Sequence, residues 1–282
     1  MELGKVRPLF LNGENCVISN YNSTYQLNFP SSYSPKNEEI ALLNLFIYYS
    51  WFNLTSTFNN LTCSYKFNTN TRTVTFPPGY YAVSDINNFI QLQMFNNGDY
   101  LLDNNGNPVY YLSLQENSVY YAVTLTATPI PTSLPTGYTN PHSITLSGNT
   151  PQLVFNSSNF NLLLGFNAST SYPPTQQTST YQINSVITPE INPVYVVNIN
   201  TNLSNNDGLL NRNVSTIYQF NPASTTFGEQ IQINPTILIF NDIDNNTTFN
   251  FLSVSFTDQN NNALQINDTA LSMTFVTRKK KT

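Results

Sequence analysis

The chain has 282 residues, enough for one large β domain or two smaller ones. Only 9% of them are charged, against about 25% in ordinary soluble domains; 45 Asn take much of their place, so the surface is polar but nearly neutral and neighbours approach at little electrostatic cost. The 13% aromatic content argues against a disordered chain.

The opening "MELGKVRPLF" lacks the uninterrupted apolar stretch of a signal peptide, and residues 1–20 read as an N-terminal arm. No apolar run reaches the ~18 residues of a membrane-crossing helix. The longest candidate, "IALLNLFIYYSWFNL", is broken by Asn44 and Ser50. Cys16 and Cys63 lie far apart and match no metal spacing, so they read as buried thiols of a protein made in a reducing cytosol. Asn-x-Ser/Thr sequons, among them Asn22, Asn53, Asn60 and Asn156, are expected by chance in such a composition.

Strand signals begin with the alternating "TYQLNF" (24–29) and the longer, more buried "EIALLNLFIYYSW" (39–51). "TCSYKF" (62–67) and "TRTVTF" (71–76) flank an Asn-Thr-Asn turn and predict a hairpin. After Pro77-Pro78-Gly79 the period changes. Ile86, Phe89, Ile90 and Met94 recur at helical spacing, which predicts a helix over 84–96 with one apolar stripe. Ser84 is the expected N-cap, Asp85 suits the positive end, and Asn97-Gly98 is the expected stop. Asn87 and Asn88 are expected to face solvent.

Strands follow at 108–115 and 119–127, then a Pro-rich loop over 128–151 that separates two halves of similar character. The second half carries apolar runs at 152–155, "LLLGF" (162–166), 193–200, 215–220, 229–234, "TILIF" (236–240), 250–258, 263–268 and 270–277. Many short antiparallel strands with one short helix predict an all-β fold, a single jelly-roll β-sandwich over residues 21–277 with inserted loops.

Residue types that carry chemistry are sparse. The one histidine, His142, sits in a Pro/Gly/Asn loop, which leaves little for a His-based metal site or triad. Asp242 and Asp244 sit beside Asn245 and Asn246, without the Gly and distal Glu of a Ca²⁺ loop. No glycine pattern for nucleotides is present, and no pair of acids suggests glycoside chemistry. No enzyme activity and no cofactor are expected. One charge feature is sharp: Arg278, Lys279, Lys280 and Lys281 hold four of the ten basic residues, leaving residues 1–277 at a net charge of −9. Residues 278–282 read either as a solubilising end or as a contact with something anionic, such as DNA or an acidic inner-shell protein.

The turn and helix "PPGYYAVSDINNFI", the later "LLLGF", and the C-terminal series from "PVYVVNINTNLSNN" through "STIYQF" and "FGEQIQINP" to "ALSMTFVTRK" resemble, in order and spacing, one family. It comprises the penton and minor capsid jelly-roll proteins of virophages and Polinton-like elements. The resemblance spans residues ~20–278 and implies a structural capsid subunit, a homopentamer at the shell's vertices. Its implied neighbours are further copies of itself and the major capsid protein, and its implied location is the virion, after synthesis in the host cytoplasm. It also implies that the helix, with Ser84, Ile86, Phe89 and Ile90, braces one end of the sandwich. A carbohydrate-binding or adhesin-like sandwich is the alternative, with exposed Tyr and Asn as its reading surface.

Overall fold

The computed structural model describes residues 6–156, 159–204 and 215–280. The chain opens as β1 (Arg7–Asn12), β2 (Val17–Ser19), β3 (Thr24–Tyr33) and β4 (Glu38–Tyr48). Residues 7–12, expected within an N-terminal arm, form a sheet strand. Leu11 is buried and Leu9 half-buried, so even this short alternation supplies an inward face. In β4 the core-facing residues are Ile40 and Leu42, then Leu45 and Ile47. The phase shifts at Leu43, an extra residue opposite the step from Thr274 to Phe275, and this bulge leaves Leu43 in water.

Residues 52–193 then build a compact unit of their own before the chain returns to the first. Its strands are β5 (Thr62–Phe67), β6 (Asn70–Thr75), β7 (Leu101–Leu102), β8 (Pro108–Val109), β9 (Leu112–Asn117), β10 (Ala122–Ala127), β11 (Gln152–Val154), β12 (Ser171–Tyr172) and β13 (Tyr181–Asn184). Its helices are α1 (Val83–Asn96) and α2 (Phe160–Leu164). The first unit resumes with β14 (Val197–Thr201), β15 (Thr216–Phe220), β16 (Gln230–Ile233), β17 (Asn241–Asp242), β18 (Phe249–Thr257) and β19 (Leu271–Lys279).

The first unit comprises residues 1–51 and 194–282. One of its sheets has the order β1-β19-β4-β16, with β17 also on β4; the other has the order β15-β14-β18-β3-β2. Number the main strands β1, β3, β4, β14, β15, β16, β18 and β19 from first to eighth. The first, eighth, third and sixth then share one sheet, and the second, seventh, fourth and fifth share the other. That interleaving is a jelly roll. The fold is all-β, and the jelly roll needs only the two outer stretches of chain. Its core is large and aromatic: Tyr25, Phe256 and Phe275 are fully buried with Ile40, Leu42, Leu45 and Met273.

The span 21–277, expected as one domain, therefore divides, because the stretch between the third and fourth jelly-roll strands has a core of its own. The second unit holds the sheets β12-β11-β5-β6 and β13-β10-β9. Its buried cluster includes Tyr65, Phe67, Phe76, Ile86, Ile90, Met94, Leu125, Leu153, Phe160 and Phe166. Asn53 holds this unit's ends together. Its buried side chain donates to the carbonyls of Tyr81 and Ile191, both at 2.8 Å, and accepts from the Tyr81 N–H at 2.8 Å. Asn53 and Asn60 are buried, so neither sequon is open to glycosylation in the folded chain. The Pro-rich stretch 128–151 falls inside this unit and marks no boundary.

Three apolar runs differ from expectation. "LLLGF" turns into α2 because Gly165 stops it in a left-handed conformation at φ +78°. "TILIF" (236–240) joins no ladder among the described residues, although its apolar, largely β-branched residues suit a strand. Residues 263–268 make a single bridge, Ala263 with Thr257.

Candidate functional site

The helix 84–96 and the basic C-terminus, the two groups to which the sequence points, lie in different units. Helix α1 lies in the second unit and packs on β9, so it belongs to that unit's own core. Val83, Ile86, Ile90 and Met94 are buried and Phe89 is half-buried, which is the expected stripe extended by one residue. Ser84 is not the cap. The helix begins one residue earlier, with Ala82 as N-cap, and Asp85 reaches back to accept from the Ala82 N–H at 2.9 Å. Ser84 is an exposed residue of the first turn. At the other end Gly98, at φ +74°, lets Asp99 N–H reach Met94 O at 2.9 Å and Gly98 N–H reach Phe95 O at 3.0 Å. This is the paired closure of a Schellman stop.

Asn87 also departs from expectation. It is half-buried, and its Oδ1 accepts the backbone N–H of Leu114 in β9 at 2.9 Å. The helix is thereby tied to the strand beneath it. Asn87→Ala is expected to cost about 1–2 kcal/mol, because the N–H loses its partner. Asn88→Ala, on the exposed side, should stay within about 0.5 kcal/mol. Urea unfolding of the two variants measures the difference.

The C-terminal cations sit on the jelly roll. Arg278 and Lys279 are the last residues of β19, opposite Glu39 and Glu38. Arg278 Nε donates to Glu39 Oε1, while its guanidinium lies 3.5 Å above the Phe240 ring. The Lys280 backbone N–H bonds Asn37 O at 2.8 Å, and its Nζ pairs with Asp242 Oδ2 at 2.5 Å. Lys279 is exposed and joins no ion pair found among the described residues; Lys281 lies outside them. The expected cluster of four free cations is thus partly consumed within the chain. Opposite charges on β4, β17 and β19 meet once the strands align, and spacing along the sequence does not show this.

A chain ending at Thr277 would lose two ladder residues and both ion pairs. The pairs are partly exposed and screened, so the total expected loss is about 2 kcal/mol. A thermal melt of that truncation checks it.

Neighbouring groups complete this corner. Tyr33 O–H donates to buried Glu38 at 2.5 Å, and burial followed by this bond pushes the phenol's pKa upward. Asp244 accepts from Thr247 O–H at 2.5 Å and Asn246 N–H at 2.9 Å, which closes an exposed turn and lowers its pKa. Among the described residues no group of three His, Cys, Asp or Glu could hold a metal. His142 is an exposed loop residue whose Nε2 lies 3.0 Å from Tyr100 Oη. Cys63 is fully buried, and burial raises its thiol pKa; Cys16 is half-exposed.

Composition alone did not identify the exposed apolar side chains. In the first unit these include Phe10, Tyr21, Ile237 and Ile239; in the second, the β9–β10 hairpin tip exposes Val119, Tyr120 and Tyr121. Tyr121 takes a left-handed conformation there, at φ +48°.

No protein-family profile matches the chain, and no curated protein matches it. Among solved structures it is similar to the mavirus penton protein, with 12% identity over 97% of this chain and 100% of that one, at a TM-score of 0.47. It is also similar to a chain of the Sputnik virophage, determined by cryo-EM, with 14% identity over 97% of this chain and 98% of that one, at a TM-score of 0.41.

Proposed function

We propose that this chain is a structural capsid subunit, and specifically the vertex subunit, with five copies closing a ring. The observation that carries this reading is the jelly-roll connectivity of the first unit, in a chain whose segments resemble in order those of the virophage penton family. A chain with only 9% charged residues and with large apolar side chains left in water supports it. Such a surface is cheap to desolvate against another protein. The major capsid protein is the neighbour such a ring would meet at its rim. A contact with packaged DNA would have to draw on Lys279 and Lys281, or break the carboxylate pairs of Arg278 and Lys280, so we assign the tail only a weak phosphate contact.

The test is the size of the purified full-length chain by light scattering and negative-stain microscopy. The expected result is a five-fold ring of about five times the 31.8 kDa chain. A chain that stays monomeric at millimolar concentration, alone and with major capsid protein, overturns the reading.

A further inference from the structure

The sheet β1-β19-β4-β16 has two edges, and each carries large apolar side chains in water beside the usual blunting devices. Soluble proteins blunt sheet edges with charge, Pro or bulges. On one side β1 presents Pro8, but also Phe10, which is 70% exposed. On the other side β4 is paired at both ends and open between them. Residues 45–48 pair with β16 and residues 39–40 with β17, leaving 41–44 without a ladder partner on that side among the described residues. The chain connecting β16 to β17 there is "TILIF". Its Ile237 is 79% exposed and Ile239 62% exposed.

The charges of the two edges also differ. Arg7, exposed, is the one charged residue of β1. The other edge carries Asp242 and Asp244, with Lys280 on Asp242 and the Arg278 guanidinium held by Glu39 over the Phe240 ring. Those pairs are matched within the chain, whereas Asp244 joins no ion pair found among the described residues and closes its own turn.

We infer that these two edges are the two halves of the joint between successive copies of this chain. The β1 edge of one copy, with Phe10 and Arg7, docks head to tail on the 235–244 edge of the next, with Ile237, Ile239 and Asp244. The inference rests on the ring proposed above. A closed ring of identical subunits needs two different surfaces on each subunit. The two sheet edges supply such a pair, apolar against apolar and cation against anion. Phe10, Ile237 and Ile239 would form the centre of the contact, with Arg7 and Asp244 at its rim, where they set register and orientation more than affinity.

The experiment compares full-length wild type, Phe10→Glu, Ile237→Glu and, as a control in the second unit, Val119→Glu, by sizing over a dilution series. Because all three positions are exposed, the variants should melt like wild type when each is diluted to the dissociated subunit. Ring dissociation should shift to at least about 30-fold higher concentration for Phe10→Glu and Ile237→Glu, and not for Val119→Glu. A wild type that forms no ring overturns the ring itself. A wild-type ring that survives both edge substitutions at unchanged concentration overturns this joint and leaves the ring standing. Phe10→Cys and Ile237→Cys, each in a Cys16→Ser background, give the second arm under copper-phenanthroline oxidation in air. A cross-linked dimer should form when the two are mixed and not from either alone. Cross-linking within one variant alone, or none in the mixture of assembled rings, overturns the head-to-tail contact.

Discussion

Phe76→Ala is expected to lower the stability of the second unit by about 3–5 kcal/mol, the range for emptying a buried aromatic site. Phe76 follows β6 at the start of the turn that leads to α1, and it is 1% exposed. Its ring stacks on Phe160 of α2 at 5.0 Å, lies tilted against Phe89 of α1 at 4.6 Å, and meets the Tyr81 ring edge-on at 5.6 Å. One side chain therefore joins both helices to the hairpin. Removing it leaves a cavity bordered by aromatic rings, which cannot relax inward as aliphatic chains do, and each loses a geometric contact worth about 0.5–1.5 kcal/mol beyond area. Phe76→Leu should recover roughly half the loss. Urea unfolding followed by far-UV circular dichroism reads the second unit through α1. The emission of Trp51, the only tryptophan, which is buried in the first unit, reads the jelly roll separately. A cost below about 1 kcal/mol for Phe76→Ala would show that the aromatic cluster is not what holds the helices.

Gly165→Ala should be as damaging, at about 4 kcal/mol, from left-handed backbone strain together with overpacking. Gly165 ends α2 at φ +78°, and a Cβ there would stand 2.3 Å from Ile187 O and 3.0 Å from Pro189 N. Both are backbone atoms, so no rotamer change relieves the clash. The close approach is needed because Gly165 O accepts the N–H groups of both Val186 and Ile187 at 3.0 Å, and Leu162 O accepts from Glu190 at 3.0 Å. The turn is where α2 and the 185–190 segment are joined. Gly228 supplies the control: it has φ +87°, but a Cβ there would meet nothing within 4 Å. Gly228→Ala should cost only the strain, about 1–2 kcal/mol. Equal shifts in melting temperature for the two variants would mean that the contact with residues 187–189 does not matter.

Local pattern by itself determined a good deal. The hairpin β5–β6, the α1 stripe of Ile86, Ile90 and Met94, the stop at Gly98, and the inward alternation of Leu271, Met273 and Phe275 in β19 all follow from side-chain period and turn chemistry. These features depend on residues within a few positions of one another, and their order along the chain carried the resemblance to capsid jelly rolls. Other features required the tertiary structure because their partners are far apart in sequence. Asn53 is buried because it bonds Ile191, and Asn87 because it bonds Leu114; in a chain with 45 Asn nothing local distinguishes them from the rest. The second unit was hidden because its ends carry the same polar and apolar mixture as its interior, and only the closure of a separate core defines it. "LLLGF" and "TILIF" are equally apolar runs. One becomes a helix that Gly165 ends in a left-handed turn, and the other joins no ladder among the described residues because it is the crossing between β16 and β17, which pair with separate ends of β4. The basic tail reads as four cations in sequence. In the fold it is a strand end whose Arg278 and Lys280 face Glu39 and Asp242, since antiparallel pairing brings together charges more than thirty residues apart.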